Sequence, residues 1–123
     1  VWYKSVLRGD VNFINIGKRT NIQDLTMIHN SGDAPCMVGD DVTIGHSVIL
    51  HGCEIQNKCL VGMGSTVMDH AVLEEGCFLA AGSLVPEGKV LKGGFLYAGS
   101  PARERRELTE KEKQFLDNQQ RIM

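Results

Sequence analysis

The chain has 123 residues, with 13 Lys+Arg against 15 Asp+Glu and a net charge of −2. That length fits one domain, and the near-balanced charge excludes the basic footprint of a nucleic-acid binder or a polybasic membrane patch. No apolar run approaches the roughly 18 residues a membrane span needs, and no signal-peptide pattern opens the chain. Val1 in place of an initiator Met predicts that an N-terminal piece is missing, which would leave Val1 to Leu7 at an open coil edge able to pair with another chain.

In chain order, aliphatic residues set a frame of six. Ile16, Ile22 and Ile28 are six apart, as are Val38 and Ile44. Ile55, Val61, Val67, Leu73, Leu79 and Val85 then hold the period without a miss. Two positions before each of these six stands a small residue: Cys53, Cys59, Ser65, Ala71, Cys77 or Ser83. Three positions after each comes Lys58, Gly64, His70, Gly76, Gly82 or Gly88. A period of six suits neither a 3.6-residue helix nor a flat strand of period two. It suits a triangular prism of short parallel strands joined by bends, three hexads to a coil of 18 residues. Aliphatic side chains then pile up inside, a narrow core that needs few of the aromatics, here only 6% of residues. The period does not give the hand of the coil; the general preference of parallel crossovers is right-handed.

The same frame assigns the cysteines. Three of the four fill small-residue slots and no C-x-x-C pair occurs, so we read free buried thiols rather than disulfides or zinc thiolates. Free thiols suggest a reducing compartment and hence the cytoplasm. His70 and Lys58 read as surface corner residues.

Two breaks interrupt the frame. Ile28 to Val38 is ten residues, so a four-residue loop is pushed out between Asn30 and Met37. Ile44 to Ile55 is eleven, a one-residue slip around Ile49 and Leu50. His29, His46 and His51 flank these breaks. His29 and His51 are 22 residues apart; removing the four-residue insertion leaves one coil. Each follows an inward aliphatic residue, so the two should stack on neighbouring rungs about 4.8 Å apart. Two imidazoles so placed can reach one Zn²⁺ at about 2.0–2.1 Å per nitrogen. His46 precedes His51 by five residues, up to about 16 Å of extended chain. It should lie near a neighbouring edge of the prism and could complete the site of another subunit, most simply in a cyclic trimer. Three imidazoles and an open water position make a catalytic zinc set.

The glycines end at Gly99, and ten of the last twenty residues are charged. We therefore divide the chain into a repeat body, 1–103, and a C-terminal helix, 104–123, packing on the body or on a neighbouring subunit. Thr109-Glu110-Lys111-Glu112 is a capping box, so the helix should start near Glu110. Phe115, Leu116, Gln119 and Ile122 loosely share its packing side.

The chain resembles the short, bacterial-type branch of the γ-class carbonic anhydrase family. The resemblance lies in Arg8-Gly9-Asp10-Val11-Asn12, Thr20-Asn21-Ile22-Gln23-Asp24 and Ile28-His29. It continues through Val42 to His46, Leu50-His51-Gly52-Cys53, Val61 to Ser65 and Gly99-Ser100-Pro101-Ala102. It implies an all-β fold, a left-handed parallel β-helix with a C-terminal α-helix, assembled as a homotrimer. It also implies that His29 and His51 of one subunit and His46 of its neighbour bind Zn²⁺, with Fe²⁺ or Co²⁺ as alternatives. Arg8 would pair with Asp24 across the subunit contact, in one polar network with Asp10. Gln23 resembles the residue that hydrogen-bonds the metal-bound hydroxide, and Asn21 would support it. The implied reaction is hydration of CO₂ to bicarbonate, with zinc acidifying a water as it does in carbonic anhydrase. A proton shuttle is not evident: Val11 follows Asp10, and Asp33 is the one acidic residue in the loop after His29. Two other functions share the prism: a hexapeptide-repeat acyltransferase and a non-catalytic, metal-binding scaffold trimer.

Overall fold

The computed structural model describes residues 5–8, 14–30, 32 and 34–119. Asp10, Val11, Asp33 and Ile122 lie outside the described residues. The chain winds as a left-handed parallel β-helix with three sheets as its faces. The first face holds β1 (Val6–Arg8), β4 (Met27–His29), β7 (Ile49–His51), β10 (Thr66–Val67) and β13 (Leu84–Val85). The second holds β2 (Ile14–Ile16), β5 (Cys36–Val38), β8 (Glu54–Ile55), β11 (Val72–Leu73) and β14 (Val90–Leu91). The third holds β3 (Asn21–Ile22), β6 (Thr43–Ile44), β9 (Leu60–Val61), β12 (Phe78–Leu79), β15 (Phe95–Ala98) and β16 (Arg103–Glu107).

Strand register turns the six-residue period into columns. Ile28, Leu50, Val67 and Val85 stack inside the first face, and Val38, Ile55, Leu73 and Leu91 inside the second. Ile22, Ile44, Val61, Leu79 and Tyr97 stack inside the third. None of these is more than 5% exposed. The small slots behave as the frame requires: Cys53, Cys59, Ser65, Ala71, Cys77 and Ser83 are all buried. The four cysteines are free, and burial pushes the Cys59 thiol up to about 12. The third set is the corner itself. Lys58, Gly64, His70, Gly76, Gly82 and Gly88 all take left-handed φ between 58° and 79°, as Arg19, Leu25, Asp41 and Ser47 do earlier in the chain. A left-handed residue turns the strand sharply at each edge, which explains the recurrent glycine.

The breaks appear in the register. Strands separated by the inserted loop pair 22 residues apart, as in Met27↔Ile49. Strands separated by the slip pair 17 apart, as in Ile49↔Thr66, whereas later coils step by 18, as in Thr66↔Leu84. The slip follows Leu50, in the corner holding His51, Gly52 and Cys53.

The helical tail is shorter than the composition boundary suggests. Arg103–Glu107 is a strand, β16, antiparallel to β15, and only Glu110–Asp117 is helical (α1). The strand is fully exposed and carries no alternating pattern; main-chain bonding to the open edge of β15 selects it. Both halves of the capping box form. Leu116 and Gln119 pack inward, but Phe115 is 42% exposed, because it sits one residue, about 100° of helix, off that face. Arg106 grips Glu112 through two bonds of 2.7 and 2.9 Å, fastening the strand to the helix start. Hydrogen bonds from Arg106, then from the Thr109 amide, hold the Glu112 carboxyl down at about 2, from 4.5. A depressed carboxylate stabilises above its unfolded value and ceases to as pH falls through its folded one. The helix start should therefore loosen as pH drops from 4.5 toward 2, and Glu112→Gln should remove that dependence. Amide chemical shifts of residues 110–117 followed against pH check this; shifts alike in both proteins would count against it.

Candidate metal centre

The site is built on the outer side of the first face. Side chains alternate along a strand, so Ile28 and Leu50 point in while His29 and His51 point out. Register places Arg8 beside His29 and His29 beside His51, one column on three successive rungs. Both histidines are half-buried. Their ring centroids are 4.8 Å apart and edge-to-face at 67°, with Nδ1 of His29 2.9 Å from Nε2 of His51. Two nitrogens that both bind a tetrahedral zinc stand about 3.3 Å apart, given bonds of about 2.0–2.1 Å. The nitrogen spacing of the pair is close to that value, and neutral imidazole is a donor that zinc, iron and cobalt accept.

His46 lies elsewhere in the same subunit. It follows β6 at the corner that leads from the third face to the first, and it is exposed. Asp24 holds the same corner one coil earlier: the Ser47 N–H donates to the Asp24 carbonyl, and the Gly64 N–H to the His46 carbonyl, both at 2.9 Å. Among the described residues no group of three or more His, Cys, Asp or Glu side chains could hold a metal ion within one chain. The other expected residues spread along the third face and its corner. Gln23 directly precedes Asp24, and its main chain receives the Ser5 hydroxyl at 2.7 Å. Asn21 is buried on β3 next to Thr43, on a different face from the histidine pair.

Two features escaped the periodicity. The carboxylate of Asp69 bonds Nδ1 of His51 on the side of the ring away from His29. Its signal was its distance, eighteen residues beyond His51, but the frame marks it only as the neighbour of corner residue His70. The second is an apolar row, Val6, Met27 and Ile49, in register beside the Arg8–His29–His51 column and 41–43% exposed. Leu25 and Met63, each 57% exposed, extend apolar surface to the Asp24–His46 corner. A cleft of about 420 Å³ opens on the second face, where Asp40, Glu54, Gln56 and Asn57 bond one another or the main chain; it shares nothing with the histidines. Among the described residues no helix is long and apolar enough to cross a membrane.

No known protein-family profile matches the chain. It is 45% identical over 118 residues to gamma carbonic anhydrase 2, mitochondrial, of Arabidopsis thaliana, across 91% of this chain and 42% of that protein. It is 43% identical over 112 residues to a probable carbonic anhydrase of Methanocaldococcus jannaschii, across 91% of this chain and 70% of that one. The chain spans less than two thirds of the length of several curated relatives it matches. Among solved structures, a hexapeptide transferase family protein of Anaplasma phagocytophilum superposes with a TM-score of 0.91 at 50% identity, over 98% of this chain and 74% of that one. With the hexad columns, the corner pattern and these relatives together, the chain belongs to the γ-class carbonic anhydrase-like family of hexapeptide-repeat proteins.

Proposed function

We propose that this protein is a homotrimeric carbonic anhydrase whose metal is held by His29 and His51 of one subunit and His46 of the next. The observation that carries this reading is a match between two columns. Arg8 stands one coil before His29 on the first face, and Asp24 stands one coil before His46 on the adjoining corner. If the face of one subunit meets the corner of the next with rungs level, bringing His46 to the His29–His51 pair also brings Asp24 to Arg8. The exposed apolar row Val6–Met27–Ile49 with Leu25 and Met63 supports burial of both surfaces in such a contact.

A bound divalent metal would supply a Lewis acid able to ionise water near neutral pH, the chemistry CO₂ hydration needs. The chain's own residues would do the rest. An Arg8–Asp24 ion pair, with Asp10 in the same network, would fix the angle between subunits by its bidentate geometry. Gln23 can hydrogen-bond a reacting oxygen without adding charge, and buried Asn21 would brace the strand that leads to it. The free thiols support a reducing compartment, which we take as the cytoplasm; the plant relative is mitochondrial by name. The name of the Anaplasma structure favours a second reading, acyl transfer.

Metal analysis of anaerobically purified protein, with its native mass, decides between them. About one Zn²⁺, Fe²⁺ or Co²⁺ per subunit in a trimer is expected; a metal-free protein would sink the anhydrase reading.

A further inference from the structure

The one-residue deletion after Leu50 has a structural consequence of its own. In the regular coils a residue stacks on the one eighteen positions later, as Thr66 does on Leu84. Here Leu50 stacks on Val67, so Met68 follows opposite His51 and Asp69 is carried on into the corner. That corner is narrow. Gly52 takes φ +56°, its N–H donates to the His29 carbonyl, and its own carbonyl accepts from the His70 N–H, both at 2.8 Å. A Cβ on Gly52 would lie 2.8 Å from Oδ1 of Asp69 and 3.2 Å from Cβ of Ala34. The glycine therefore leaves the space in which the Asp69 carboxylate reaches the outer nitrogen of the His51 ring.

We infer that Asp69 is a positioning residue: its carboxylate holds His51 as the Nδ1–H tautomer, with the lone pair of Nε2 turned toward His29. A carboxylate only accepts hydrogen bonds, so the shared proton belongs to the ring. With that tautomer, the 2.9 Å contact in metal-free protein would have His29 Nδ1 donating to His51 Nε2. Partners of this kind orient metal-binding imidazoles and raise their basicity, and losing one weakens metal affinity about 10–100-fold. The role toward a metal rests on the function proposed above; the tautomer does not.

The test uses the full chain. In the metal-free wild type, ¹⁵N NMR of the histidine rings should show His51 protonated at Nδ1, and Asp69→Ala should move it toward the Nε2–H form. Competition of Zn²⁺ with a chelating dye should show about 10–100-fold weaker binding by Asp69→Ala. Asp69→Asn, whose amide oxygen can still accept, should recover most of the loss. An Nε2–H form of His51 in the wild type overturns the inference and needs no variant that might fail to fold. So does unchanged Zn²⁺ affinity in a folded Asp69→Ala protein. A wild type that binds none of Zn²⁺, Fe²⁺ and Co²⁺ would refute the anhydrase reading, and the tautomer would still decide the role of Asp69.

Discussion

Replacing His51 with alanine is expected to strip the protein of metal and lower CO₂ hydration by at least about 100-fold while leaving the coil folded. The magnitude follows from comparison: loss of a residue that merely supports a ligand costs about 10–100-fold, so loss of the ligand itself should cost no less. The fold should survive because the ring lies on the outer side of β7, where packing depends on its inward neighbour Leu50. With His51 gone, His29 would be left without the imidazole 2.9 Å away, and one subunit's face would offer one of the three proposed ligands. Lys89→Ala is the control: that side chain is exposed two coils beyond β7, and its loss should leave the rate unchanged. Stopped-flow hydration with metal content on the same samples measures both. Equal rates for wild type and His51→Ala would refute the anhydrase reading.

Leu73→Ala is expected to cost about 2–5 kcal/mol of folding free energy, a large share of the roughly 5–15 kcal/mol a domain has. Leu73 is fully buried, stacked between Ile55 and Leu91 in mid-column. A prism cannot easily collapse around the gap, because its coils are spaced by strand hydrogen bonds rather than by side-chain contact. Each coil also draws its stability from its neighbours, so a hole in the middle weakens two interfaces. Val90→Ala on the outer side of the same face, 51% exposed, should change stability by no more than about 0.5 kcal/mol. Urea denaturation at matched protein concentration compares the two. A loss below 1 kcal/mol at Leu73 would mean that the column is not the core.

Much of this architecture was legible because a hexad coil constrains its sequence strictly. Every inward position from Ile55 to Val85 must be aliphatic, every slot two before it small, and every corner tolerant of left-handed φ. The insertion and the deletion were visible as departures from that count, and the stacking of His29 on His51 followed by subtraction. Other features were not legible. Arg103–Glu107 has the composition of a helix start, yet it pairs as a strand because β15 offers an unfilled edge. Phe115 shares an apolar run with Leu116 but not its face, a matter of where the helix docks.

Asp69 marks the division most clearly. Period, corner positions and the rung-to-rung histidine pair are consequences of local chain geometry repeated along an axis, so linear order encodes them. The approach of a carboxylate to one nitrogen of His51 depends on a missing residue and a missing Cβ at Gly52, a third residue in between. Displacements of an ångström decide such a contact, and a six-residue ruler does not resolve them. The chain is small and balanced in charge, with 14 glycines and only 6% aromatic residues. Folding turned seven of those glycines, among the described residues, into left-handed bends, the aliphatic residues into a dry column, and one corner into the support of a histidine.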